Sequence, residues 1–488
     1  MKRTGILIMM LVTGTGVSAQ TTLGLDDCRK LALEHNKKII AAREQVAAAG
    51  ELVKAAFANY LPEFSLNATY SYFGKDFQLL SKDLFLPVVP YSAIDPATGQ
   101  LSSQALSNPA VAANTFVINP STGSIVKDAN GNPVFQKYTC LPASESKFRL
   151  GNLYMINGGL TQPIYMGGKI RELNRMAATT KMGAENNLRL NENELLYSVD
   201  EAYWRIISLR EKVRLAEKYS SMLERLVKDL SNIHDEGIIT KNDLLRASVK
   251  QSEAELMKLK AINGLELSMM SLCQITGIVY SRDILLADSL DTRLASPSDL
   301  QVSEASINGR PELAVLQNSA DLAKSGVKLA VSRYLPNIGL TAGYSVINPN
   351  PYNGLEKEFG GDLSFGIICN VPLFHFGEKR HTVNAARAGQ RVAEIKLDEA
   401  RELMLLQLQQ AVYRYTESEG KKRYADLALG QAAENLAATK NNFDEGTMKT
   451  TDLLEAQVIW QKAYSELIDA RTEQQLAASY LKKVTSKY

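Results

Sequence analysis

Beyond its first nineteen residues the sequence has no run of about 20 apolar residues, the length a helix needs to cross a bilayer. A polytopic helical membrane protein is thereby excluded. A chain of this kind enters a membrane only as a β-barrel, because only helices and closed barrels satisfy every backbone group in lipid. Cysteine is scarce. Cys28, Cys140, Cys273 and Cys369 are scattered without metal-ligand spacing and read as four unpaired thiols. Charge of one sign is also missing: 55 Lys and Arg stand against 53 Asp and Glu, and Lys2 and Arg3 make up the difference. A balanced chain gives no electrostatic reason to expect nucleic acid. No nucleophile-base constellation is present, so an enzyme reading has no residue support. Gly167-Gly168-Lys169 lacks the leading Gly and following Ser or Thr of a phosphate loop. His375, Glu378 and His381 straddle a strand-to-helix junction and need not converge on a metal. No catalytic residue, metal or cofactor is expected.

The first residues carry a targeting signal. Lys2 and Arg3 precede an apolar stretch over 6–12, and Val17-Ser18-Ala19 ends in small residues, so cleavage is expected before Gln20. Leu25-Asp26-Asp27-Cys28 lacks the small residues of a lipoprotein signal, and the exported chain is expected to have a free N-terminus.

The rest of the sequence contains itself twice. Tyr60-Leu61-Pro62 returns 274 positions later as Tyr334-Leu335-Pro336. Asp235-Glu236-Gly237, followed by Asp243-Leu244-Leu245, returns 209 positions later as Asp444-Glu445-Gly446, followed by Asp452-Leu453-Leu454. The difference, 65, is one insertion in the first copy. A repeat this long marks an architecture built from one duplicated unit.

Four segments of each about ten residues alternate apolar and small polar side chains, the length that crosses a bilayer when tilted. They are 63–73, 148–162, 337–347 and 361–371. In a barrel the apolar set faces lipid and the polar set a wet lumen; a half-buried soluble sheet has the same alternation. Pro62, Pro336, Pro163 and Pro372 punctuate the ends. The loop 74–147 accounts for the insertion, and its counterpart 348–360 is short.

Everything else reads as helix. Residues 169–234 contain no proline, and only Gly183 interrupts them, which predicts a rod of about 100 Å. One apolar heptad register runs through Val199, Ala202, Ile206, Leu209, Val213 and Ala216 to Leu223, Val227 and Leu230, broken only by Ser220. A second stripe, Leu215, Tyr219, Met222, Leu226 and Ile233, lies on another flank and suggests neighbours on both sides. The expected organisation is a signal peptide over 1–19, a first repeat over 20–277, a linker or equatorial segment over 278–298, and a second repeat over 299–488. The first repeat holds a helix over 25–60 and a helical hairpin over 169–276; the second holds a helix over 299–334 and a hairpin over 378–484.

Together, the duplicated strand-helix plan, the Tyr-Leu-Pro sequences, the turns Glu236-Gly237-Ile238 and Glu445-Gly446-Thr447, the Asp-Leu-Leu sequences and Gln274-Ile275-Thr276-Gly277 resemble the TolC-type outer membrane efflux proteins. The resemblance covers nearly the whole mature chain. It implies an α+β membrane protein: a homotrimer with four strands per protomer in a shared twelve-stranded barrel, continuous with a long periplasmic α-helical coiled-coil barrel. It implies passive conduction through the cell outer membrane, with outer membrane lipid, a periplasmic adaptor (membrane fusion protein) and an inner membrane transporter as partners. Two alternatives stand beside the efflux channel: a duct for type I protein secretion, and a non-conducting tether across the periplasm.

The resemblance also implies roles for particular residues. Asp452 and Glu455 match the acidic ring at the aperture, and Asp243 is the equivalent position in the first copy. Rings of carboxylates favour cations. Asp452 also suits a helix-capping role. Gly237, Ile238, Gly446 and Thr447 match the adaptor-docking turns, although Glu236 and Glu445 stand where the family usually has Val. The latch departs further: Phe443 and Met448 occupy the positions of a hydrogen-bonding Tyr and Arg, and Lys449 is one position away from reaching Asp243 in the family's manner.

Overall fold

The computed structural model describes residues 21–103, 107–291 and 302–488, so the signal segment 1–19 lies outside the described residues. In chain order the elements are β1 (Thr21–Leu23), α1 (Leu25–His35), α2 (Lys37–Ala58), β2 (Glu63–Phe73), β3 (Phe77–Gln78), β4 (Leu84–Pro87), α3 (Pro109–Thr115), β5 (Tyr138–Leu141), β6 (Lys147–Phe148) and β7 (Gly151–Met166). Then follow α4 (Lys169–Asp235), α5 (Lys241–Thr276), β8 (Ile284–Leu286), α6 (Pro311–Ser332), β9 (Asn337–Asn348), β10 (Gly360–Asn370), α7 (Glu378–Asp444) and α8 (Thr450–Val484). Two compact units result, one of helices and one of strands.

In the helical unit, α4 and α7 are each 67 residues long, and their return helices α5 and α8 have 36 and 35. Both α4 stripes are used. Val199, Ile206, Ala216, Leu223 and Leu230 are buried on one flank and Leu215, Tyr219 and Leu226 on the other. Ser220, the polar interruption, is buried with its hydroxyl donating to Glu255. A buried polar group that finds a partner costs little.

The half-length helices differ from the sequence expectation. The predicted helix 25–60 breaks at Asn36, whose backbone is extended (φ −66°, ψ 126°). Its carboxamide oxygen accepts from Lys38 N at 2.9 Å and its NH2 donates to Ile275 O at 2.9 Å. Asparagine that bonds nearby backbone competes with the helix in this way. The predicted helix 299–334 is shorter still. Residues 299–301 lie outside the described residues, Glu304–Gly309 form a 3₁₀ turn, and Pro311 opens α6. Proline forces Arg310 out of the helical region and suits the first helical position itself.

The described part of the equatorial segment, 278–291, is tied to the helices; 292–298 lie outside the described residues. β8 pairs in parallel with β1, and Arg210 donates to Leu286 O at 2.7 Å. Tyr203 donates to the Asp288 carboxylate at 2.7 Å. Nearby, fully buried Asp200 accepts both forks of Arg29 at 2.8 and 2.6 Å and the Tyr488 hydroxyl at 2.9 Å. Cys28 sits in this same core, and Cys273 is also buried. Burial pushes the Cys28 thiol up to about 12, which leaves it inert as a nucleophile. Cys140 and Cys369 are exposed.

The second unit is a four-stranded sheet in the order β10-β9-β7-β2. Its two outer strands are exposed on both faces for almost their whole length. Phe64, Leu66, Tyr70 and Tyr72 line one face of β2, and Leu363, Phe365 and Ile367 one face of β10. Opposite faces carry Ser65 against Gly159, Asn67 against Asn157, and Ser364 against Gly343. Beyond the predicted end at 162, β7 runs on to Met166. Its ladder with β2 stops at Thr161, so Pro163 falls where that ladder needs no donor.

The described residues of the long loop form an ordered lobe. β3 pairs with β6 and β4 with β5. Phe116, fully buried, packs on Phe135 at 5.1 Å between ring centres. Asp95, Asn119 and Asp128 each accept a backbone N–H two residues on, at 2.9 Å, closing three tight turns. Among the described residues no helix is long and apolar enough to cross a membrane.

Candidate functional site: the hairpin tips

Both helical hairpins turn in the same way. α4 is followed by the capping residue Glu236, and Gly237 takes φ +76°; α7 is followed by Glu445, and Gly446 takes φ +76°. Gly237 N donates to His234 O at 2.8 Å and Ile238 N to Ile233 O at 3.2 Å. Gly446 N donates to Phe443 O at 2.9 Å and Thr447 N to Asn442 O at 2.9 Å. These are Schellman caps, which satisfy the last carbonyls of each long helix. A Cβ on either glycine would meet nothing within 4 Å, so glycine is required by the left-handed backbone and not by space. Ile238 projects into solvent at 71 % exposure. The Thr447 hydroxyl folds back onto Asn442 O at 2.8 Å.

The return helices start with matching carboxylates. Thr240 Oγ1 donates to Asp243 Oδ2 at 2.6 Å and accepts from Asp243 N at 3.3 Å. Lys449 N donates to Asp452 Oδ2 at 3.2 Å. Each Asp stands at the third helical position and caps its helix, favourable also for charge near the positive end of the dipole. Asp452 and Glu455 remain exposed, while Leu453, Leu454 and Ala456 beside them are buried.

The two acidic residues face different surroundings. Glu455 lines a groove of about 620 Å³ between α5 and α8, together with Leu245, Arg246, Val249 and Lys250; Asp452 does not. Among the described residues Glu455 makes no ion pair, and neither Asp243 nor Lys449 pairs with the other. Phe443 packs on the buried cluster of Leu226, Leu230, Leu453 and Leu454. Met448 is 38 % exposed. Sequence reasoning missed Arg246 and Lys250, because they share a groove with Glu455 only through the packing of two hairpins. The readable signal was the apolar spacing of Leu245 and Val249 beside them.

The described residues form two long helical hairpins that end in equivalent glycine turns and, in the second unit, a four-stranded sheet with open edges. Residues 302–486 match the family described as outer membrane efflux protein. Alkaline protease secretion protein AprF of Pseudomonas aeruginosa is 23% identical over 65% of this chain and 66% of its own length. Outer membrane protein TolC of Vibrio cholerae is 24% identical over 62% of this chain and 69% of its own. These matches span about two thirds of each curated relative. Among solved structures, the outer membrane protein VceC of Vibrio cholerae superposes with a TM-score of 0.68 at 14% identity, over 94% of this chain and 95% of that one. The chain is thus similar to the outer membrane efflux protein family over residues 302–486, and to TolC of Vibrio cholerae over a wider span.

Proposed function

We propose that three copies of this chain form the outer-membrane exit duct of a tripartite efflux pump, conducting small molecules passively. The observation that carries the reading is the sheet: four strands, both edges open, and outer strands exposed on both faces. Four strands cannot close a barrel or protect their own edges. Three protomers related by a threefold axis supply twelve strands and leave no edge. The repeated order of strands and hairpins is then one duplicated unit, each copy giving two strands and one hairpin.

At the tips, Asp452 and Glu455 supply rings of carboxylates at the aperture, with Asp243 as their first-copy counterpart. Phe443 and Met448 have no side-chain group for a hydrogen-bonded latch. Arg246, which shares a groove with Glu455, is the group suited to hold it closed by charge; Lys250 in the same groove is already paired with Glu253 at 2.7 Å. The turns at Gly237, Ile238, Gly446 and Thr447 present the docking surface for a periplasmic adaptor. A second groove of about 630 Å³, lined by Lys218, Arg225, Asp229 and Lys440 among others, offers mixed charge for its helices. An inner membrane transporter supplies the energy.

Single-channel recording in planar bilayers tests the duct. The wild type is expected to show a small cation-selective conductance, and Asp452→Asn/Glu455→Gln to lose that selectivity. Intact trimers that never conduct would leave a structural tether instead. The relative AprF, by name a protease secretion protein, favours a secretion duct as the second reading. Loss of drug resistance in a deletion strain that still exports its proteases would decide for efflux.

Tip docking has its own test. Gly446→Trp is expected to keep trimers but abolish transport, whereas Gly446→Asn, which tolerates the left-handed backbone, keeps both. Normal resistance with Trp would remove the docking role. Equal loss with Asn would reduce it to turn geometry.

A further inference from the structure

Immediately after β10 the chain exposes an apolar surface that nothing in the helical unit covers. Leu373 is 89 %, Phe374 72 % and Phe376 93 % exposed. Phe376 holds φ +41°, a region that a bulky residue adopts only where the surroundings impose it. Phe374 and Phe376 meet edge to face at 4.8 Å, so the two rings form one projecting wedge. Leu373 and Phe374 also border a groove of about 590 Å³ between the end of α6 and the first turns of α7.

The groove's charge is one-sided. Lys379, Arg380 and Arg387 line it, with His375, and no carboxylate does. Lys379, Arg380 and Arg387 are exposed and, among the described residues, make no ion pair. The nearest acid in sequence, Glu378, is occupied by the Tyr334 hydroxyl at 3.1 Å. On α7 these cations fall at i, i+1 and i+8, one face of the helix. Three unpaired cations beside an exposed aromatic wedge match a molecule with an anionic head and apolar tails.

We propose that this groove binds an anionic phospholipid of the periplasmic leaflet, its phosphate held by Lys379, Arg380 and Arg387 and its acyl chains against Leu373, Phe374 and Phe376. The assignment rests on the barrel reading above, which brings β10 to its end at the membrane surface, where aromatic side chains and basic residues are favoured. The site fixes the depth of the duct and makes its anchoring depend on headgroup charge.

The test is lipid retention by the full-length protein, reconstituted in mixed phosphatidylcholine and phosphatidylglycerol vesicles, extracted in mild detergent and weighed by native mass spectrometry. Conductance is recorded from the same vesicles. Wild type is expected to retain phosphatidylglycerol in preference. Lys379→Gln/Arg380→Gln/Arg387→Gln is expected to lower that preference on the order of a hundredfold. Phe374→Ser/Phe376→Ser is expected to lower retention of both lipids while keeping the preference. Retention that mirrors the bulk mixture, in a wild type that conducts, would overturn the lipid site and leave the duct standing. Unchanged retention with altered ion selectivity in the cationic variant would put these residues in the lumen and also overturn it. A wild type that neither inserts nor conducts would overturn both readings.

Discussion

Leu403→Glu combined with Leu406→Glu is expected to convert the proposed trimer to monomers without unfolding the protomer. Along α7, Val392, Ile395, Leu403, Leu406, Tyr413, Tyr424 and Leu427 are all at least half exposed in the single chain. Their spacings of 3, 8, 3, 7, 11 and 3 keep them on one face of the helix, as a packing seam requires. α5 carries a second such row in Leu245, Val249, Leu256 and Leu259, likewise exposed. A seam on each of two helices is what a ring of identical protomers needs: the α7 row of one against the α5 row of the next, repeated until the circle closes. Burying a leucine there stabilises by about 1.5–3 kcal/mol when complete. A carboxylate at the same place must be desolvated without a partner, at a cost of several kcal/mol at each of the interfaces. Light scattering and circular dichroism should therefore report monomers with unchanged helix content. Lys396→Glu makes the same change of two charges beside the seam and is expected to stay trimeric. Trimers surviving both glutamates would eliminate this seam as the contact.

Much of this architecture is legible locally. Alternation with a period of two marks the strands, and a proline-free run marks the long helix, because backbone geometry writes those periods directly into side-chain polarity. The glycine turns are legible for the same reason, since a left-handed residue excludes nearly every other side chain. Two boundaries were equally readable in kind: Asn36 is a helix-capping residue within a polar stretch between two apolar segments, and Pro311 marks a helix start. In the long loop, Asp95-Pro96-Ala97-Thr98-Gly99 and Asn119-Pro120-Ser121-Thr122-Gly123 are turn signals that bulk composition conceals. What stays hidden is contact between distant parts. Glu455 and Arg246 share a groove only because two hairpins lie side by side. Arg29 and Asp200 are 171 positions apart, with no period or motif to join them.

That last pair carries the largest expected loss of stability within one protomer. Asp200 is wholly enclosed, while Arg29 keeps 17% of its side chain exposed and also holds Asp26 at 2.8 Å. The guanidinium reaches Asp200 with both nitrogens of its fork and lies over the Tyr488 ring at 5.4 Å. The Tyr488 hydroxyl has a single proton to share between Asp200 and Ser479 O, at 2.9 and 3.0 Å. Burial and the charge of Asp200 push that hydroxyl's pKa upward, so it stays a donor. Removing one member of such a pair is worse than removing both, because the remaining charge keeps its desolvation cost. Arg29→Met strands the enclosed carboxylate and is expected to cost about 3–5 kcal/mol. Asp200→Asn leaves a cation that still reaches water and Asp26, and is expected to cost about 1–2 kcal/mol. The double variant should then be more stable than Arg29→Met alone. Thermal unfolding of the full-length protein followed by circular dichroism gives the order of the midpoints. Equal losses for the two single variants, or a double variant that loses their sum, would mean that α1 and α4 are joined by packing alone and that the ion pair contributes nothing of its own.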